Sequence, residues 1–250
     1  MDDLVSYPRL ILVIAFVVLW FAAWAGLKLS TRLHGIAEDL RGDYGVVLGA
    51  TLTLLGLIIG FSFSMAIGRY DQRKNYEEEE ANAIGTEYLR TDLLPANGAK
   101  TRQLLRQYTD LRIQFYTTRD ADALKQVDED TSRVQNEMWA AVSQPAIGQP
   151  NPVVGLAVGG MNDVINSQGY TLAAWRNRIP GSAWMLLFAI GIFCNILLGF
   201  GVRMPNVKLL MILPLVVAIA FFLIADIDSP RRGRINVRPQ NLETLRTTLK

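Results

Sequence analysis

Glu77, Glu78, Glu79 and Glu80 are four carboxylates in unbroken succession, and Arg69, Asp71, Arg73 and Lys74 stand just before them. Acids and bases this close together supply the means for ion pairing, for attracting cations or for general acid–base chemistry. Catalysis asks for more: a nucleophile, a base and an electrophile or metal that converge on one point. The rest of the chain offers little of that kind. His34 is the only histidine and Cys194 the only cysteine, which excludes an intrachain disulfide and removes the usual zinc and haem ligand sets. Cys194 falls inside an apolar run and reads as a small packing residue, while His34 lies in a polar link and reads as a solvated loop residue. Asn82, Asn162 and Asp163 fall on helical stretches, where such residues more often satisfy one another. The sequence is therefore read as that of a non-enzyme, with no cofactor and no bound metal. A net charge of +2, without a basic stripe carrying interleaved aromatics, also argues against nucleic-acid binding.

The elements that must position these charges are apolar blocks of unusual length. Residues 10–27, 45–67, 182–202 and 209–227 form four runs in which Cys194 and Asp226 are the only ionisable side chains. A bilayer needs about 20 apolar residues per helix, so the chain reads as an all-α integral membrane protein with four transmembrane helices. Ala23-Trp24-Ala25 has the small-x-small form of a signal-peptide cleavage site, but two acids and a single arginine precede the run. It is read as a retained helix. The implied organisation is spans one and two within 1–67, a helical domain over 68–181, spans three and four within 182–230, and a basic tail over 231–250.

Four spans bring both termini and the 68–181 segment to one side. That side carries Arg9, Arg69, Arg73, Lys74, Arg176, Arg178, Arg231, Arg232, Arg234 and Arg238 near the membrane, ten bases against the five of Lys28, Arg32, Arg41, Arg203 and Lys208. The positive-inside rule then puts both termini and the large segment in the cytoplasm. The opposite links, 28–44 and 203–208 with its turn at Pro205, are too short for a folded domain.

Within 68–181 the periodicity predicts a helix to residue 94, stopped by Pro95-Ala96-Asn97-Gly98, and further helices over 99–116, 120–142 and 153–177. The second carries Leu104, Leu105, Tyr108, Leu111, Ile113 and Phe115, and the third Leu124, Val127, Val134, Met138 and Trp139. The proline-rich stretch 143–152 reads as a linker. Nothing between Gly45 and Leu94 would break a helix, so the second span and the acidic stretch are read as one rod, about 75 Å long at 1.5 Å per residue. Its outer half is a stalk around which the four glutamates are spread. They read as a solvated face meeting basic residues on a neighbouring helix or, if copies assemble, as an acidic ring that favours cations. Arg73 with Glu77 and Lys74 with Glu78 are i,i+4 pairs.

Gly56, Gly60, Ser64 and Gly68 recur every fourth residue along the second span, a stripe that permits close helix approach in lipid. Leu57, Phe61 and Met65 follow an adjacent stripe. Turned toward a symmetry axis, such residues form a hydrophobic constriction; turned away, they pack on lipid or other spans. No charge lies in mid-membrane, which disfavours a carrier with a charged central site.

The stretch 54–95 resembles a family of bacterial membrane proteins described as bestrophin-like, through Arg69-Tyr70-Asp71-x-Arg73, Glu80-Ala81-Asn82-Ala83-Ile84-Gly85-Thr86 and Tyr88-Leu89-Arg90. Residues 178–187 and 226–235 resemble the same family's other blocks. Bestrophins proper are pentameric anion channels whose second span lines the pore. The resemblance therefore implies a homo-oligomer, a pentamer, in a bacterial inner membrane, with a neck on Thr53, Leu57 and Phe61 and a small inorganic ion as the permeant species. It also implies a post-span step at Asp228-Ser229-Pro230, close to Asp226. Asp71 stands where bestrophins have a second aromatic, and the basic tail after Pro230 has no counterpart of the calcium-binding acidic cluster of animal bestrophins, so calcium gating is not implied. The function is read as an ion channel, the alternative being a non-conducting membrane scaffold or sensor whose helical domain binds a partner. The glutamates favour cations and the resemblance favours anions.

Overall fold

The computed structural model describes residues 7–33, 35–94, 96–148, 150–202 and 207–249. The expectations for His34, the stop at Pro95 and the turn at Pro205 lie outside the described residues. Among the described residues there is helix and connecting turn but no strand. The helices are α1 (Pro8–Arg32), α2 (Arg41–Arg90), α3 (Gly98–Thr117), α4 (Ala121–Gly148), α5 (Pro152–Arg176), α6 (Gly181–Gly201), the single turn α7 (Val207–Leu210), α8 (Ile212–Asp228) and α9 (Gln240–Thr248). Four stretches are long and apolar enough to cross a membrane: Pro8–Arg32, a part of Glu38–Leu93, a part of Pro152–Gly201, and Lys208–Asp228. The chain is an all-α membrane protein, and α2 continues from its span into the acidic stretch without a break. Its 50 residues contain glycine but no proline, and a short 3-10 turn, Thr91–Leu93, ends it.

Two compact units divide the chain, Met1–Tyr70 with Arg178–Asn236, and Asp71–Asn177 with Val237–Lys250. The first holds the apolar helices. Its core gathers Ile11, Ala15 and Leu19 of α1, Leu55 and Ala66 of α2, Leu187 and Cys194 of α6, and Val217, Phe221 and Ile224 of α8. Two glycines set the α1–α6 crossing. A Cβ on Gly26 would strike the Ile196 carbonyl oxygen, and one on Gly199 the Ala23 carbonyl oxygen. The two backbones therefore touch, the close approach that small residues permit in lipid, where apolar burial alone gives helices no reason to associate.

The second unit is assembled from residues 71–90 of α2, with α3, α4, α5 and α9. Leu104, Leu105, Tyr108, Leu111 and Phe115 of α3 are buried as their spacing predicts, as are Val127, Val134 and Met138 of α4. Trp139 departs from expectation and is exposed. So does the linker: α4 runs through Pro145 to Gly148. Proline removes one N–H and crowds the preceding turn, but Ala141 and Val142 in that turn are buried, and their packing carries the helix past it. The break falls instead before Asn151, whose side chain caps α5 by accepting from the Val153 N–H at 2.9 Å. The C-terminal residues are folded as well: Leu242 of α9 is fully buried.

Candidate functional site

At 3.6 residues per turn, positions 55, 62, 66, 73, 77, 80, 84 and 87 follow one line along α2. All of them are buried, and they include Leu55, Ser62 and Ala66 in the span and Arg73, Glu77, Glu80, Ile84 and Glu87 beyond it. The opposite line is uncovered. Leu57, Phe61 and Met65 are 53%, 64% and 41% exposed, and Thr53, Gly56, Gly60, Ser64, Gly68 and Asp71 are exposed with them. A Cβ added to Gly56, Gly60 or Gly68 would meet no atom within 4 Å. The stripe that reads as a packing signal is thus idle within one chain, and the intrachain close approach is made by Gly26 and Gly199. The Thr53 hydroxyl donates to the Gly49 carbonyl at 2.9 Å, so its polarity is satisfied by its own helix.

Two acids hold one end of the span bundle. Asp228 accepts from the Ile179 N–H at 3.1 Å, just before α6, and stands 3.6 Å from Nη1 of Arg69 on α2. Asp226 accepts from the backbone N–H groups of Arg234 at 2.9 Å and Ile235 at 3.0 Å, closing the turn that follows α8. Both carboxylates, Ser229 and Pro230 are buried, and a Cβ on Gly233 would strike the Asp226 carbonyl oxygen. The resemblance drew attention to Asp226, Asp228 and Pro230; the geometry gives them a scaffolding part, binding three spans and the return of the chain.

The acidic run divides by face. Glu78 and Glu79 are exposed, while Glu77 and Glu80 are buried. Glu77 caps α9, accepting from the Asn241 and Leu242 N–H groups at 3.0 Å each and from Asn241 Nδ2 at 2.7 Å, an arrangement suited to the unpaired donors of a helix start. Burial raises its carboxyl pKa, and those donors oppose the rise. Glu80 pairs with Arg112 of α3 with both side chains fully buried. It also accepts from the hydroxyls of Tyr116 and Thr171 at 3.3 Å each, and the Arg112 guanidinium lies 4.5 Å from the Phe115 ring centre. The expected meeting with a basic residue on a neighbouring helix is made by Glu80 with Arg112, and the solvated face is left to Glu78 and Glu79, since Glu77 and Glu80 work inside the unit.

Sequence reasoning missed Arg112, Glu87 and Asn241. Arg112 carried a readable signal: it is a lone cation inside the apolar stripe of Leu105, Tyr108 and Phe115, where an unpaired charge would be prohibitive. Glu87 is fully buried, and neither of its carboxyl oxygens has a hydrogen-bond partner. It lies against α5 at Gly160, where a Cβ would strike its Oε2 and Arg90 Nη1. Burial pushes its pKa up to about 8, against the pull of Arg90 and with the help of Asp163, so its carboxyl is mostly neutral at pH 7. Asn82, Asn162 and Asp163 are all exposed, and Asp163 acts on Glu87 through its charge.

The comparisons agree with this architecture. The family description Bestrophin-like domain matches residues 12–242. A solved variant of a bacterial bestrophin homolog from Klebsiella pneumoniae is similar with a TM-score of 0.64 at 14% identity, over 95% of this chain and 97% of that one. A second variant of that homolog gives 0.65 at 13% identity, over 95% and 96%. A structure described as a membrane protein variant gives 0.62 at 15% identity, over 95% and 97%. At such identities these likenesses speak for the fold alone. Sequence comparison with curated proteins returns no match. With four apolar spans, a second span that runs on into a buried acidic stripe and a family match over nearly its whole length, this chain belongs to the bestrophin-like family.

Proposed function

We propose that several copies of the chain, five by analogy with bestrophins, assemble around an axis lined by α2 and conduct a small inorganic ion. The observation that supports this reading is the uncovered face of α2. Every other span shares in the core of the first unit along much of its length, whereas α2 leaves a face of Thr53, Leu57 and Phe61, flanked by Gly56, Gly60, Ser64 and Gly68, with no intrachain partner. Leu57 and Phe61 form an apolar neck of the kind that gates by dewetting, with Met65 at its rim. Glycines beside a large apolar residue let neighbouring copies of α2 approach closely enough for the neck to be narrow. In this reading both termini and the second unit are cytoplasmic, in a bacterial inner membrane, which the excess of basic residues near those span ends supports. Asp71, Glu78 and Glu79 then face the cytoplasmic approach to the axis and raise the local cation concentration.

The test is conduction by purified protein in planar bilayers, with oligomeric state measured first by light scattering in detergent. Phe61→Ala and Leu57→Ala are expected to increase or deregulate the current while leaving the oligomer intact. A stable monomer removes the shared axis. Silent bilayers from a folded oligomer, together with a partner captured through residues 99–150, would favour a scaffold or sensor instead.

A further inference from the structure

The membrane unit carries a second feature at the end remote from the Asp226–Asp228 clamp. There the last turn of α1, the turn after it, the start of α2 and the end of α6 enclose a cavity of about 470 Å³. Lys28, Ser30 and Arg41 line it, with Leu27, Ile36 and Phe200 as its apolar walls. Depth is set by the neighbours. Lys28 Nζ stands 5.6 Å from the Trp24 ring centre, and the Tyr44 hydroxyl donates to the Leu197 carbonyl. Aromatic residues with a polar tip, next to a lysine at the end of an apolar helix, mark the boundary between hydrocarbon and headgroups.

The charged residues that line the cavity are both cations, Lys28 and Arg41. Glu38 stands 3.4 Å from Arg41 Nε, and its side chain is largely in solvent, which weakens the pair. Arg41 Nε is buried and meets no hydrogen bond of good geometry, so an oxygen ligand there competes with the long, solvent-facing pair to Glu38. The 3-10 turn Glu38–Leu40 runs straight into α2 and takes the Arg41 N–H on its Glu38 carbonyl, so the positive end of this helical run lies at the turn beside the cavity. The carbonyl ends of α1 and α6 oppose this, and Lys28 in the last turns of α1 offsets them.

We propose that this cavity binds the phosphate diester of an anionic phospholipid, with Lys28 and Arg41 holding the headgroup and the apolar wall meeting the glycerol end of the acyl chains. A free anion would gain nothing from Leu27, Ile36 and Phe200, and a neutral headgroup would gain little from two cations. The proposal does not depend on conduction by α2.

Native mass spectrometry of the detergent-purified full chain tests it, with dioleoyl-phosphatidylglycerol, dioleoyl-phosphatidylcholine and inorganic phosphate as probes. The wild type is expected to retain phosphatidylglycerol over phosphatidylcholine. Lys28→Gln with Arg41→Gln is expected to weaken that retention about tenfold or more, since each base near an anionic headgroup is worth roughly a fivefold preference. Arg41→Lys keeps the charge and should retain most of the binding, and Arg32→Gln, outside the cavity lining, should change little. Equal retention of the two lipids by the wild type overturns the proposal without recourse to any variant. So does unchanged retention in the double variant, or a wild type that takes inorganic phosphate as readily as the lipid.

Discussion

Apart from the Asp226–Asp228 clamp at one end of the membrane unit, the two units of this chain cohere by different means. In the membrane unit α1 and α6 meet at Gly26 and Gly199, backbone against backbone. In the second unit the decisive groups are buried carboxylates: Glu80 on Arg112, Glu77 on the start of α9, and Glu87 beside Arg90 without a hydrogen bond. The difference follows from the solvent. Lipid gives apolar side chains no incentive to leave it, so close van der Waals approach must supply the association. Water drives Ile84, Leu105, Met138 and Met161 together, and a charge drawn into such a core must be neutralised or paired.

The largest expected effect is on the buried pair. Arg112→Ala leaves Glu80 uncompensated and should destabilise the protein by about 3–5 kcal/mol in denaturant titration. Replacing both partners, Glu80→Leu with Arg112→Met, should recover most of that loss. If the double variant is no better than the single one, the pair is not the unit of stability described here.

Next comes the glycine contrast. Gly199→Ala drives a methyl group into the Ala23 carbonyl and should cost about 1–3 kcal/mol or more by overpacking, read as thermal stability in detergent. Gly60→Ala, which meets no atom in one chain, should leave monomer stability unchanged and alter only the oligomer. Equal loss from the two substitutions would erase the distinction between a used and an idle stripe.

Glu87 gives a pH signature. Its carboxyl pKa is raised from the ordinary glutamate range to about 8, so between those values the folded chain holds a proton that the unfolded chain has released. Stability from this group is therefore complete below the ordinary glutamate pKa and is lost as pH rises through about 8. Glu87→Gln should flatten that decline and make the variant more stable than wild type at pH 9, by on the order of 1–3 kcal/mol. A wild type whose melting temperature does not fall between pH 6 and pH 9 would contradict it.

The smallest effect should be at the cap. Glu77→Ala removes the acceptor for three donors of α9 and should cost about 1–2 kcal/mol, visible as faster hydrogen exchange in residues 240–248 while α3 to α5 stay protected.

Much of the architecture was legible because it depends on one-dimensional properties. The spans follow from apolar length, and the unbroken α2 follows from the absence of proline between positions 41 and 90. Pro145 misled for the same reason, since a local breaker was read without the buried turn of Ala141 and Val142 that outweighs it. The candidate site was only half legible. Periodicity places Thr53, Leu57 and Phe61 on one face of α2, but which face a helix buries depends on partners far away in sequence, and the same holds for Glu77 and Glu80 against Glu78 and Glu79.

By itself, then, the sequence determined the helices, the membrane and the family, because hydrophobic length, helix breakers and motif spacing are properties of neighbouring residues. Tertiary structure alone decided which glycines touch, which glutamates are buried and which face of α2 is left for a partner. Each of these rests on contacts between residues that lie tens to more than a hundred positions apart, and no local pattern encodes them.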